Sequence, residues 1–292
     1  MAKLIELIQE LKNRTGAGLM DCKHALVENG EDIEKAIVWL REKGIAKQAK
    51  KEGRIAAEGL TLARLSEDGK KAVILEINSE TDFVAKSDPF ADLMDKAANI
   101  ILAKDIKTLE ALKEDAEFKE IYDAACLKLG EKISVRRFEV VEAGDATLAY
   151  YIHMKGKISV LVMMEGGNFD LGKEVAMNIA ANSPAYVSKE DISAEAIAKE
   201  TEIQLALTKE QDPKFANKPE EIQHKIISGK VNKILFEQVL SEEPLIKNPD
   251  MTVGQLLAKE NAKVLKFVRY QVGEGIQKRE DNFAEEVMAQ AK

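Results

Sequence analysis

One pattern occurs twice along the chain, and it restricts the fold more than any other feature. "GKKAVILEI" at 69–77 is followed by "FADLMDKAANIILA" at 90–103, and "GKISVLVMM" at 156–164 is followed by "FDLGKEVAMNIAAN" at 169–182. In each copy an apolar run of strand length gives way to apolar residues that recur at helical spacing. A repeated strand-then-helix unit points to a duplication within the core. The copies differ at one place. The stretch from Gly69 to Phe90 is longer than that from Gly156 to Phe169, and the surplus falls on "TDFVAK" at 81–86. A fold that closes in one copy without this segment treats it as an addition. Phe83 is therefore expected to be a probe aimed outward rather than a plug for the core.

The flanking sequence divides readily. Leu4, Ile5, Ile8 and Leu11 share a helical face, Gly16 and Gly18 break it, and Leu19 to Glu28 resumes it. Asn29-Gly30 caps that second helix, and Ile33, Ala36, Ile37 and Leu40 mark a third that Gly44 is expected to close. Residues 1–55 thus form a three-helix module, too small for a large core and better suited to docking than to catalysis. Strands are expected at Leu60–Leu65 and Lys71–Asn78 around the turn Ser66–Gly69, then at Ile133–Ala143, Ala146–His153 and Ile158–Met164. Helical patterning covers Phe90–Ala103, 108–129 and 170–182. Two further helical stretches, 190–209 and 219–240, flank a turn marked by Pro213 and Pro219 and read as a helical hairpin. Thr252 caps a helix to Asn261, Lys263–Val272 is a strand, Gly273–Gly275 a turn, and Asp281 caps a last helix over 282–291. The expected units are 1–55, a first core half 56–143, a second core half 144–187 with 241–277, the hairpin 188–240, and a C-terminal helical module 278–292.

Composition removes several functions. A net charge of −8 repels phosphate backbones and anionic membranes, and 5% aromatic residues are too few for rows of stacking platforms, so no direct nucleic-acid binding is expected. Residues 41–54 run against that charge, with Arg41, Lys43, Lys47, Lys50, Lys51 and Arg54 facing only Glu42 and Glu52. A solvated basic helix or linker is the plain reading there, a contact with RNA or an acidic partner the alternative. Cys22 and Cys126 are too few for a disulfide framework and suit a reducing cytosol. No run approaches the ~20 apolar residues of a membrane span. No charged leader precedes an apolar segment at the N-terminus, so a mature cytoplasmic start is expected.

His24, His153 and His224 lie in separate segments and set up no metal spacing. The chain has no GxxxxGK[ST], GxGxxG or GxSxG motif, so no cofactor, metal or bond-making chemistry is expected.

"RTGAGLMDCKHAL" at 14–26 and "TDFVAKS" at 81–87 closely resemble the bacterial elongation factor Ts family. The resemblance continues through "GEDIEKAIVWLREKG" at 30–44, "AAEG" at 56–59, "YIHMKGKISVLV" at 151–162, "VGQLL" at 253–257 and "VGEGI" at 272–276, in the family's order. It implies a guanine-nucleotide exchange factor for elongation factor Tu, the GTPase that delivers aminoacyl-tRNA to the ribosome. It also implies an α+β fold: a UBA-like three-helix docking module, a duplicated two-part α+β core with antiparallel sheets, a protruding antiparallel helical hairpin (coiled coil) and a C-terminal helical contact. Carried over, Thr81, Asp82, Phe83 and Val84 meet the GTPase near its nucleotide and dislodge Mg²⁺. Leu19 and Met20 match docking positions, with packing inside the module as the alternative reading, and His153 matches a second partner contact. A dimer or a 2:2 complex with the partner stays open. The chain departs from the family beside His153, where "HMKGKIS" stands for a stretch like "HGGGRIG": Met154 and Lys155 replace small residues and Ser159 a glycine. Against exchange stands a non-exchanging adaptor or chaperone-like binder built on the basic module and the hairpin.

Overall fold

The computed structural model describes residues 2–277; the helix expected over 282–291 and the 278–292 module lie outside the described residues. Helices α1 (Ala2–Thr15), α2 (Leu19–Glu28) and α3 (Ile33–Lys50) enclose a core of Ile8, Leu11, Cys22, Leu26, Ala36 and Leu40. The third helix does not close at Gly44. It runs on to Lys50, and Gly44 itself is buried where another helix passes. A Cβ on Gly44 would stand 3.4 Å from Leu127, and Arg41 pairs with Glu120 at 3.1 Å.

The chain then builds β1 (Glu58–Leu65), β2 (Lys71–Ser79), the one-turn helix α4 (Asp82–Ala85), α5 (Asp88–Ala103), α6 (Leu109–Glu114), α7 (Ala116–Leu129) and β3 (Ser134–Glu142). The helical stretch expected over 108–129 is two helices, because Asp115 stops one and caps the next, its carboxylate accepting from the Phe118 amide at 2.9 Å. The second half repeats the plan with β4 (Thr147–His153), β5 (Ile158–Glu165) and α8 (Phe169–Asn182). The helical hairpin α9 (Ala194–Gln211) and α10 (Glu220–Phe236) interrupts it before α11 (Val253–Lys259) and β6 (Lys263–Gln271) complete it. Each half is a three-stranded antiparallel sheet with the repeated strand in the middle, in the orders β1-β2-β3 and β4-β5-β6. The hairpin's two ends are drawn together by a bridge between Tyr186 and Val239, and Phe215 is fully buried at its tip.

Both central strands are buried on both faces, which explains why the repeated runs are so apolar. Val73, Leu75 and Ile77 of β2 pack under α5 and α7, while Ala72 and Ile74 meet the other sheet. Val160, Val162 and Met164 of β5 pack under α8 and α11, while Leu161 turns to the shared interior. The result is helices on sheet on sheet on helices. Burial of each large aliphatic side chain contributes about 1.5–3 kcal/mol.

One residue on the inner face of β2 is charged. Glu76 is fully buried, and its carboxylate accepts from Arg136 Nη1 at 3.0 Å, Arg137 Nε at 2.7 Å, Asn78 Nδ2 at 3.1 Å and the Gly273 amide at 2.9 Å. A β-bulge makes this possible. Glu76 pairs with Arg137 and Ile77 with Val135, so Arg136 is the extra residue and both arginines reach one carboxylate. β6 carries a matching bulge at Leu265, between the partners of Met163 and Met164. Burial pushes the Glu76 carboxyl up, but the Gly273 amide and the two guanidiniums outweigh it, so the net shift is downward. Glu243, buried against Asn178 and Asn182 without a cation, is pushed above the ordinary range by that burial.

Two outcomes follow from this packing. Glu76→Gln is expected to cost about 3 kcal/mol in a denaturant titration at neutral pH, the low end for a broken buried pair because the arginines can turn to water. Since the folded carboxyl titrates below its ordinary value of 4.5, that contribution is complete above it and lost as pH falls through the depressed value. The gap in stability between parent and variant should therefore close in acid; a gap that stays constant down to pH 3 would count against the clamp. Gly172 of α8 gives the second. Helix propensity says Ala should stabilise by about 1 kcal/mol. A Cβ there would stand 2.4 Å from that of Ala149, however, so Gly172→Ala is expected to lower the melting temperature by a net cost of about 1–3 kcal/mol.

Candidate functional site

β2 delivers the chain to the edge of the first sheet, and α4 begins three residues after it ends. A four-residue helix cannot hold itself, since one turn fixes many dihedrals for a single hydrogen bond. Its neighbours hold it. The Ser79 hydroxyl donates to the Thr81 carbonyl at 2.9 Å. Thr81 is extended and caps the helix, its hydroxyl oxygen accepting from the Val84 amide at 3.4 Å. Glu131, in the loop between α7 and β3, grips Thr81 with both oxygens, accepting from its amide at 3.0 Å and from its hydroxyl at 2.7 Å. At the other end Ser87 donates its hydroxyl to the Val84 carbonyl at 2.7 Å, and Pro89 opens α5.

The helix divides its side chains between two tasks. Ala85 is buried, and Val84 half-buried, against the core under the first sheet. Phe83 points away, with 83% of its surface exposed. The expected probe is not a plug. Asp82 pairs with Lys86 at 2.5 Å on the next turn, and that hydrogen bond holds its carboxyl below the ordinary carboxylate range. Thr81, Asp82 and Phe83 line a cleft of about 930 Å³ with Arg54, Ile55, Glu58, Glu80 and Lys157. Lys157 reaches across to Glu58 at 2.9 Å. The turn after β4 thus borders the same cleft as α4, although the two lie far apart in sequence.

His153 ends β4, half-buried, its Nδ1 3.1 Å from the Tyr151 hydroxyl. The departures beside it have a geometric cost. Met154 and Lys155 both take left-handed backbone, at φ 48° and 54°, and Met154 is exposed. That conformation favours residues without a branched or bulky Cβ, which is why small residues suit this turn. Gly156 could not be replaced so easily, because a Cβ there would lie 2.9 Å from the Thr61 carbonyl. Ser159 is buried and its hydroxyl is hydrogen-bonded to that of Thr61 at 2.8 Å, so it joins the sheets rather than the surface.

Leu19 and Met20 stand at the exposed start of α2, outside the core of the three-helix module. They are not among the residues lining the α4 cleft. Sequence reasoning missed Glu131, Glu80 and Lys157. Each is an ordinary surface charge in one dimension, and nothing in its local pattern marks it. The basic stretch is also bound internally. Lys43 lies 5.3 Å from the centre of the Trp39 ring, Lys51 donates to the Gly130 carbonyl at 2.5 Å, and Arg54 pairs with Glu80 at 3.2 Å.

Among the described residues no group of histidine, cysteine and carboxylate side chains converges to hold a metal, and no helix is long and apolar enough to cross a membrane.

Comparison with known proteins bears on what this site meets. A family model described as Elongation factor TS matches residues 80–274. The chain is 46% identical over 296 residues to Elongation factor Ts of Alkalilimnicola ehrlichii, covering 100% of this chain and 99% of that one. It is 45% identical over 291 residues to Elongation factor Ts of Methylococcus capsulatus, covering 98% of this chain and 97% of that one.

Because so little of the Phe83 ring touches its own molecule, Phe83→Ala should leave the folding free energy within about 0.5 kcal/mol of the parent. A denaturant titration that showed a loss of core size, about 3 kcal/mol or more, would mean the ring packs inward.

Proposed function

The chain belongs to the elongation factor Ts family, and we propose that it accelerates GDP release from elongation factor Tu by pressing Phe83 and its neighbours against the GTPase beside its Mg²⁺ and nucleotide. The observation that carries this reading is an aromatic ring left almost bare on a one-turn helix that is fixed at both ends.

In a GTPase the Mg²⁺ bridges nucleotide phosphates and offsets their charge, so displacing its supporting groups weakens nucleotide binding. A phenylalanine entering between packed elements of the partner stabilises their displaced arrangement, its burial contributing about 1.5–3 kcal/mol. Asp82, kept ionised by Lys86, adds a negative charge on the same side. Exchange then needs only that this protein prefer the nucleotide-free partner. Thermodynamic linkage lowers GDP affinity by the same factor, and no bond is made or broken.

On this reading residues 1–55 dock first, through Leu19 and Met20, and the turn at His153 makes a second contact that Met154 and Lys155 reshape. Residues 56–143 and 144–187 with 241–277 act as the frame, with 188–240 and 278–292 as further contact units, and the cytoplasm as the place of action.

Stopped-flow release of labelled GDP tests the proposal. Catalytic amounts of the parent should speed release, and Phe83→Ala should lower the maximal rate by roughly ten- to a hundred-fold, the kinetic equivalent of the lost burial, with little change in binding. Unchanged GDP release with the parent protein would defeat the reading. Binding indifferent to nucleotide state and to Phe83 would instead indicate an adaptor.

A further inference from the structure

The segment that presents Phe83 is only as rigid as its supports, and the firmest of these comes from the loop between α7 and β3. Gly130 ends α7 in left-handed backbone at φ 71° and turns the chain into the loop that carries Glu131 and Lys132. Glu131 takes both the amide and the hydroxyl of Thr81, at 3.0 and 2.7 Å. A carboxylate accepting two such bonds is a charge-assisted, two-point grip that fixes direction as well as distance. The loop is itself braced from behind. The Lys132 amide donates to Glu80 at 2.6 Å, and its ammonium donates to the Glu52 and Arg54 carbonyls at 2.5 and 2.9 Å. Lys51 closes the ring by donating to the Gly130 carbonyl at 2.5 Å. The same helix α7 carries Leu127 into the core of the N-terminal helices.

We infer that the Gly130–Lys132 loop is a strut that sets the pose of Phe83 and ties it to the seat of the N-terminal helices, with Glu131 as a positioning residue for nucleotide exchange; this rests on the exchange reading above. Glu131 acts through Thr81 and needs no contact with the partner. The alternative supports of α4 do not replace it. Ala85 and the Ser87 hydroxyl fix the end of the turn, but Thr81 and Asp82 begin it, and Phe83 follows directly. Without Glu131 the Lys132 amide and Arg54 still hold Glu80, one residue upstream, but Thr81 itself keeps only the Ser79 hydroxyl and a long cap bond of 3.4 Å. The ring then samples directions that do not meet the partner's cleft. Docking through α2 is untouched, so the defect belongs to the maximal rate and not to affinity.

The test compares the parent, Glu131→Ala and Glu131→Gln in two measurements on the full chain. In GDP release from elongation factor Tu, Glu131→Ala should lower kcat roughly ten-fold, since small misplacements of a reacting group carry costs of that order or more, with KM for the GDP-bound partner within about two-fold. Glu131→Gln, which keeps an acceptor for Thr81, should recover most of the loss. In amide hydrogen exchange on the free protein, the Val84 and Ala85 amides should exchange roughly ten-fold faster in Glu131→Ala, with protection of α5 unchanged. A parental kcat in Glu131→Ala, a change confined to KM, or unaltered exchange at Val84 and Ala85 would each overturn the strut. Failure of the parent itself to release GDP would defeat the exchange reading alone, because the amide measurement reads the strut without the partner.

Discussion

Two sheets packed face to face are the constraint on which the rest of this molecule depends. Their contact is apolar at its centre, where Ala63, Ala72, Ile74, Leu148 and Leu161 meet. It is polar at its edge, where Thr61 bonds to Ser159 and to the Gly156 carbonyl, and where Glu76 gathers Arg136, Arg137 and Gly273. The close approach at Gly156 leaves no room for a side chain. A buried carboxylate is a weak source of stability but a strong source of register, because only one alignment satisfies all its partners. With the sheets locked, the end of β2 and the turn after β4 face the same cleft. Lys157 and α4 are brought together by this alignment alone.

On that frame the short helix behaves as a fixed outpost. Single exposed apolar residues are common and need no special account. Phe83 differs in what surrounds it: its neighbours on one turn are a capped threonine, an ion-paired aspartate and two anchored aliphatics. Conformational entropy that would otherwise be lost on meeting a partner is already lost in the fold, which is the general advantage of preorganisation. An aromatic ring on a floppy loop would bind no state of a partner selectively. One on a rigid frame can favour one state over another.

Charge has a more local use here than the totals suggest. The chain is acidic overall, at −8, yet Arg41 and Lys51 of the basic stretch join the N-terminal helices to α7 and to the loop that follows it, and Arg54 pairs with Glu80 at the entry to α4. The choice between a solvated linker and a contact with RNA or an acidic partner left out this third use. Exposed pairs of this kind add little to stability singly, but as a connected set they orient one module on another.

Local patterning in the sequence determined the element types, the doubled core and the oddity of the "TDFVAK" insertion, because periodicity and a repeat are properties of a single stretch of chain. Gly44 misled for the same reason: a glycine reads locally as a stop, whereas α3 continues past it, with Leu127 alongside. Only the tertiary structure decided that Phe83 faces out, that Leu19 and Met20 lie outside their module's core, and that Glu131 holds Thr81 across the α7–β3 loop. Those facts depend on which distant residues fill the space around a side chain, and one-dimensional spacing carries no record of that.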